Sequence, residues 1–211
     1  EGRVVLCRRR LGEHHAPLTR RVVAPGGYAA LMEPDTPPRK QMRRYELDGQ
    51  ARFLTFSTHN RIALFQNDAI KDRFADHLAR ARIRHRFRLI AWVVMPEHVH
   101  LILWPDGGTV STPLTSLKRG FAREVVSRWR ELDAPVLERI VDAPGRHRFW
   151  QRGGGYDRNI RDENELREKI SYIHRNPVKR GLVGRPTDWA WSSARWYEGD
   201  REGPVPIDRW T

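Results

Sequence analysis

The stretch IAWVVMPEHVHLILW, residues 90–104, predicts the centre of the fold and carries a pair of histidines. Its two apolar halves are separated by Met-Pro-Glu, a short link that predicts a hairpin of two strands. Successive side chains of a strand point to opposite faces. His98 and His100 therefore share one face of the second strand, while Val99 and Leu101 share the other and can be buried in a core.

Two imidazoles on one strand face form half of a site for a divalent metal ion, because neutral imidazole is a common metal ligand. Glu97 stands next to them and can add a carboxylate oxygen as a ligand or orient an imidazole by a hydrogen bond. The alternative is a strand whose two histidines lie at the surface or make hydrogen bonds that serve only the fold.

Composition and charge indicate a basic protein with a polyanionic partner. The 211 residues include 39 lysines and arginines but 26 acidic residues, giving a net charge of +13 and a pI of about 10.9. A surplus of this size points to nucleic acid. Cys7 is the single cysteine, which excludes a disulfide framework and a cysteine-based zinc site.

Apolar runs are much shorter than the ~20 residues that cross a membrane, and the chain shows no secretory signal at its start. We therefore expect a soluble, cytoplasmic and nucleoid-associated protein with no membrane contact. The length fits one domain. Residues 1–44 are basic and interrupted by proline and glycine, which predicts a disordered arm. Residues 45–197 are expected to form the domain and residues 198–211 a tail.

The order of the predicted elements matches a ferredoxin-like α+β fold, an antiparallel sheet with helices on one face. An extra C-terminal helix and a tryptophan-rich tail are expected in addition. A fourth strand is expected within residues 136–152. The predicted elements are a strand at 51–58, a helix from Asn67 or Asp68, the hairpin, a helix from Thr112, and a helix capped by Asp162 that ends before Asn176-Pro177.

A triple glycine, Gly153-Gly154-Gly155, precedes Tyr156. Glycine permits tight bends and the close approach of another backbone, so this segment can hold the tyrosine on a flexible or tightly bent stretch of backbone. A phenol can attack a phosphodiester when a metal ion polarises the phosphate. The alternative is a buried tyrosine whose hydroxyl caps a loop.

Five segments occur in the order MPEHVHLILWP, SLKRGFARE, FWQRGGGYDRNIRD, YIHRNPVKRGLV and DWAWSSA. Together, over residues 45–197, they resemble the single-tyrosine HUH transposases, and most of all the REP-associated tyrosine transposases. The resemblance implies a ferredoxin-like core that cleaves single-stranded DNA, often beside a hairpin, with Mg²⁺ or Mn²⁺. It also implies a tyrosine linked to a 5′-phosphate and a released 3′-hydroxyl that can reverse the reaction.

Carried over by position, the resemblance implies that His98 and His100 bind the metal ion and that Tyr156 is the nucleophile. The third ligand, a polar residue after the tyrosine, is Asn159, with Asp157 as the second choice, since Mg²⁺ prefers oxygen ligands. If the glycines shift the alignment by one residue, Tyr156 is not the nucleophile. Tyr172 is then the fallback, although its position in the helix before Asn176-Pro177 indicates a structural role.

The partner implied is single-stranded or hairpin DNA, bound by a monomer or a homodimer. Two other functions are consistent with the same charge and the same fold. One is a hairpin-binding protein without catalysis, and the other is a metal-dependent nuclease that activates water instead of a tyrosine. The basic residues expected to contact DNA phosphates are Lys118, Arg119, Arg123, Arg152, Arg158, Lys179 and Arg180.

Overall fold

The computed structural model describes residues 49–210 apart from Gly108, Pro144, Gly154 and Glu202; the arm predicted at 1–44 lies outside the described residues. Four strands and the longer helices form the first part of the described chain, and a C-terminal segment with little regular structure follows. The elements are β1 (Arg52–Ser57), α1 (Asp68–His85), β2 (Arg88–Met95), β3 (His98–Trp104), α2 (Ser111–Glu131), α3 (Val136–Arg139), β4 (Tyr156–Asn159), α4 (Glu163–Lys179) and α5 (Ala194–Tyr197).

The sheet has the strand order β2-β3-β1-β4, and all neighbouring strands are antiparallel. This order, with α1 between β1 and β2 and α2 between β3 and β4, is the ferredoxin-like arrangement, so the predicted fold class is confirmed. The strands of the predicted hairpin, β2 and β3, pair with Met95 opposite His98. The two histidines therefore lie on a central strand.

The fourth strand is not within residues 136–152, so that prediction is wrong. Residues 136–139 form the short helix α3, and Trp150 makes only an isolated bridge with Thr58. The true edge strand, β4, has the sequence YDRN. Its side chains show no apolar alternation, the pattern from which a strand is predicted. Its position depends on pairing with β1 instead.

Helices α1 and α2 cover one face of the sheet and enclose the larger core. Asn67 caps α1 by accepting a hydrogen bond from the Ala69 backbone N–H at 2.8 Å, as its position predicted. Phe56 and Leu101 point from the sheet into this core, where Phe74 and Phe121 lie with ring centroids 5.1 Å apart. This face is used for packing.

Helix α4 lies on the opposite face, against Phe53, Val93 and Ile102, and buries Ile170 and Ile173 there. The predicted end of this helix before Asn176 and Pro177 is wrong, because α4 continues to Lys179. Both residues are buried. Packing of the last turn therefore outweighs the local preference against helix before proline.

The predicted tail at 198–211 contributes to the same core as α1 and α2. Val205 and Ile207 are buried in it, and the Asp208 carboxylate accepts hydrogen bonds from the Leu89 N–H at 2.8 Å and from Arg82. The tryptophan-rich segment packs back in a similar way. Within the described residues, no helix is long and apolar enough to cross a membrane.

Candidate active site

The structure brings His98 and His100 together on the α4 face of β3. Their rings stand nearly perpendicular, and the two Nε2 atoms are 3.0 Å apart. Two nitrogens bound to one metal ion at about 2.1 Å can be at most about 4.2 Å apart. The pair is therefore close enough to bind one ion through both Nε2 atoms, and the two residues are only 6% and 4% exposed.

Each histidine has a different partner on its other ring nitrogen. The Glu97 carboxylate lies 3.1 Å from His98 Nδ1, and the Thr55 hydroxyl lies 2.7 Å from His100 Nδ1. Glu97 also accepts hydrogen bonds from Arg180 at 2.7 Å and from Arg61 at 3.4 Å. This carboxylate thus joins the histidine strand to the end of α4.

Burial keeps both imidazoles neutral. It lowers the pKa of His98 and lowers the pKa of His100 to about 3, and the positive charge of Arg61 acts in the same direction on both. Burial by itself would raise the pKa of Glu97, but His98 and Arg180 outweigh that effect and lower it. The site at neutral pH therefore holds a carboxylate and two uncharged imidazoles, the forms that bind cations.

A cavity of about 530 Å³ opens onto the histidine pair between β1, β4 and α4. Both candidate tyrosines line it. Arg61, Lys169 and Arg180 give its wall a positive charge, which suits a phosphate group. The lining residues are Phe53, Thr55, Arg61, His98, His100, Tyr156, Lys169, Tyr172, Asn176 and Arg180.

Tyr156 reaches the cavity from the edge strand. It pairs with Thr55 of β1, is 43% exposed and contacts the Phe53 ring edge-on at 5.8 Å. A Cβ on Gly155 would come within 2.2 Å of the Thr55 carbonyl oxygen, and its φ is +71°. The predicted close backbone approach is therefore confirmed at this glycine. A hydrogen bond with Tyr156, together with Glu165, raises the pKa of Arg158.

Tyr172 reaches the same cavity from the middle of α4. Its ring centroid is 5.5 Å from that of His100 and 6.0 Å from that of Phe53, and the residue is 41% exposed. One turn further along, buried Asn176 donates a hydrogen bond from its amide to the Tyr172 carbonyl oxygen at 3.4 Å. The spacing of four residues places both side chains on one face of the helix.

The structure does not bring Asn159 or Asp157 to the histidines. Asp157 pairs with Leu54 and Asn159 with Arg52, so alternation places both side chains on the α1 and α2 face of the sheet. There the Arg52 guanidinium binds the Asp157 carboxylate at 2.7 Å. The third ligand expected from the sequence is therefore on the wrong side of the sheet.

The sequence analysis did not predict Asn176 as a site residue, nor Phe53, Thr55, Arg61 or Lys169. The signal for Asn176 was its position four residues after Tyr172. The others come from distant parts of the chain, and only the pairing of strands brings them together. Among the described residues, no group of three or more histidine, cysteine or acidic side chains is arranged to hold a metal ion.

The predicted DNA contacts separate into three groups. Arg158, Lys179 and Arg180 lie around the cavity: the Lys179 ammonium is 5.4 Å from the Tyr172 ring, and Arg158 forms an ion pair with Glu165. Arg152 forms an ion pair with Asp142 at 3.5 Å. The other three are on α2, across the sheet from the histidines: Lys118, Arg119 and Arg123.

Comparison with known proteins gives consistent matches. The family described as "Transposase IS200 like" matches residues 51–176. A REP-associated tyrosine transposase of Escherichia coli (strain K12) is 28% identical over 170 residues, which are 80% of this chain and 89% of that protein. A protein of Haemophilus influenzae (strain ATCC 51907 / DSM 11121 / KW20 / Rd), with a provisional form of the same name, is 26% identical over 153 residues, 72% and 83% of the two chains.

A solved structure, a REP-associated tyrosine transposase bound to a REP hairpin, has the same fold. Its TM-score with this chain is 0.59 at 22% identity, and the match covers 82% of this chain and 94% of that one.

Proposed function

Since this chain belongs to the IS200-like transposase family, we propose that it cleaves and rejoins single-stranded DNA next to a hairpin, with a tyrosine as nucleophile. One observation carries this proposal: two buried neutral imidazoles converge at 3.0 Å in a basic cavity that two tyrosines line. A cavity with positive charge suits the phosphate of a nucleic acid, and the phenols supply nucleophiles beside it.

The donor set fits a divalent cation, and we propose Mg²⁺ or Mn²⁺. His98 and His100 would hold it through Nε2, and Asn176 would add its amide oxygen, the ligand type that these ions favour. Bound there, the ion would polarise the scissile phosphate and neutralise charge that develops during attack. Asn176 takes the place that the sequence analysis gave to Asn159.

Of the two tyrosines, we propose Tyr172 as the nucleophile, in place of Tyr156. Its ring contacts the His100 ring, and it lies on a helix that Glu97 connects to the histidine strand through Arg180. Asn176 lies one turn away on the same helix. Tyr156 instead contacts Phe53 and hydrogen-bonds with Arg158 at the edge of the sheet.

The chemical step needs few protein groups. The Tyr172 oxygen forms a bond to the scissile phosphorus while the bond from phosphorus to the 3′ oxygen breaks. The phenol proton passes to solvent, and the departing 3′ oxygen takes up a proton. The product is a 5′-phosphotyrosine and a free 3′-hydroxyl, and attack by a 3′-hydroxyl on the phosphotyrosine rejoins the strand.

The DNA is positioned, in this proposal, by phosphate contacts and ring stacking around the cavity. Lys169, Lys179 and Arg180 supply charge, and the exposed ring of Tyr156 lies at the cavity wall, where a base can stack on it. The relative solved with a REP hairpin makes a hairpin of that kind the first DNA to test.

The test is a denaturing gel of the purified 211-residue chain with 5′- and 3′-labelled single-stranded hairpin DNA and Mn²⁺. We expect a covalent protein–DNA band that disappears with a chelator and with Tyr172→Phe and persists with Tyr156→Phe. A band lost only with Tyr156→Phe would assign the nucleophile to β4. Cleavage without a covalent band would indicate a hydrolytic nuclease, and a native-gel shift without cleavage an inactive hairpin-binding protein.

A further inference from the structure

The hydrogen bonds around the histidine pair form one chain. We propose that this chain fixes the tautomer of one histidine and lets the tautomer of the other change. Glu97 holds His98 in the tautomer that binds metal, whereas Thr55 allows His100 to change tautomer when a metal ion arrives. This inference rests on the proposed function, because it concerns the same metal site. It adds Thr55 and Glu97 as positioning residues, which act through the histidines.

The Glu97 end of the chain is fixed. An ionised carboxylate only accepts hydrogen bonds, and Glu97 faces His98 Nδ1 at 3.1 Å and the Arg180 guanidinium at 2.7 Å. The proton of neutral His98 therefore sits on Nδ1. Its Nε2 carries a lone pair that points toward His100.

The contact between the two Nε2 atoms then fixes His100 in the absence of metal. A hydrogen bond at 3.0 Å needs one proton, and His98 Nε2 has none, so His100 Nε2 must donate. The other nitrogen of His100, Nδ1, then carries no proton. It accepts a hydrogen bond from the Thr55 hydroxyl at 2.7 Å. Each ring nitrogen of this buried pair is satisfied without a metal ion.

Metal binding through both Nε2 atoms requires a change at His100 alone. His100 loses its Nε2 proton and gains one at Nδ1, so no net proton is taken up or released. The Thr55 hydroxyl can then turn from donor to acceptor, because a hydroxyl does both. Thr55 is only half-buried, at the cavity wall, so its own proton can point to solvent. A carboxylate at this position could not serve both states.

Nitrogen-15 NMR of the histidine rings tests the tautomers directly in the full chain at pH 7.5. With a chelator present, we expect His98 protonated on Nδ1 and His100 protonated on Nε2. With Zn²⁺ added as a diamagnetic probe, we expect both rings protonated on Nδ1. His100 protonated on Nδ1 before metal is added would overturn the inference.

Two substitutions at Thr55 test the role of the hydroxyl. Thr55→Val keeps the shape but removes the hydroxyl, and we expect the affinity for Mn²⁺, measured by electron paramagnetic resonance, to fall by about 10- to 100-fold. Thr55→Ser keeps the hydroxyl and should restore wild-type affinity, while the thermal unfolding of both variants shows that they are folded.

Equal Mn²⁺ affinity of the two variants would overturn the role of Thr55. Neither measurement uses DNA, so the result does not depend on cleavage. Conversely, wild-type protein that forms no covalent band would overturn the proposed function and leave the tautomer result standing.

Discussion

The edge strand β4 and the helix α4 each bring a tyrosine to one cavity, but they hold it in different ways. β4 has four residues, and its position depends on the close approach of Gly155 to β1. α4 has 17 residues and is anchored by buried side chains and by the Arg180–Glu97 contact. A nucleophile that reacts beside a bound metal ion has to be held in position by a rigidly packed element, which favours Tyr172 over Tyr156.

The largest effect on stability that we expect from this comparison concerns the glycines. Gly155→Ala should lower the free energy of unfolding by about 3 kcal/mol, because the new methyl group meets the β1 backbone in a left-handed conformation. Gly153→Ala is the matched control, since φ is +99° there but no atom lies within 4 Å. It should cost about 1 kcal/mol. Urea unfolding measures both, and equal losses would contradict the close approach.

Two asparagines, one on α4 and one on β4, test which segment supplies the oxygen ligand of the proposed metal site. Asn176→Ala should weaken Mn²⁺ binding by at least about tenfold, because it removes the proposed oxygen ligand. Asn159→Ala, on the opposite face of the sheet, should leave the affinity unchanged. Calorimetric titration with Mn²⁺ measures both, and the reverse pattern would return the ligand to the β4 segment.

The buried imidazole of His174 on α4 predicts that the free energy of unfolding falls in acid. Burial lowers the pKa of His174 to about 4, and the ring is hydrogen-bonded to Ser193 at 2.8 Å. Below the unfolded-state pKa of about 6.5, the His174 imidazole binds a proton in the unfolded chain but stays neutral in the folded chain. The free energy of unfolding therefore falls as the pH falls toward 4. This group alone should cost about 2 kcal/mol between pH 7 and pH 5.

His174→Gln should remove that contribution, which urea unfolding at both pH values measures. The difference in unfolding free energy between wild type and variant should change by about 2 kcal/mol, in favour of the variant at pH 5. Because the other titrating groups are common to both proteins, they cancel. A difference that does not change with pH would refute the buried neutral state.

The smallest effect that we expect concerns the cations around the cavity. Lys179→Gln on α4 and Arg158→Gln on β4 should each reduce the slope of log affinity against log salt by about one, as expected for one phosphate contact. Arg123→Gln on α2, across the sheet, is the control and should not change the slope. A slope that responds to Arg123 instead would place the DNA on the other face.

The sequence predicted the fold because the fold depends on periodic patterns. The two apolar runs of β2 and β3, joined by a short link, and the cap at Asn67 are local signals, and the structure has both. The fourth strand was misplaced since YDRN carries no such pattern. Its pairing depends on a glycine contact with β1, which is far away in sequence.

The candidate site was less predictable because it is assembled across the sheet. The pairing of His98 and His100 follows from alternation within one strand. Assigning Asn159 as a ligand failed for the same physical reason, since alternation along β4 sends that side chain to the other face. Thr55 and Arg61 have no signature of their own in the sequence, and they join the site only because β1 pairs with β3.

The most direct test of the central claim is to identify the tyrosine that becomes linked to DNA. Trypsin digestion of the covalent complex would release Tyr172 in the peptide 170–175 and Tyr156 in the peptide 153–158. Mass spectrometry after nuclease treatment should find the nucleotide on the peptide 170–175. A nucleotide on the peptide 153–158 would contradict the account and assign the reaction to the edge strand.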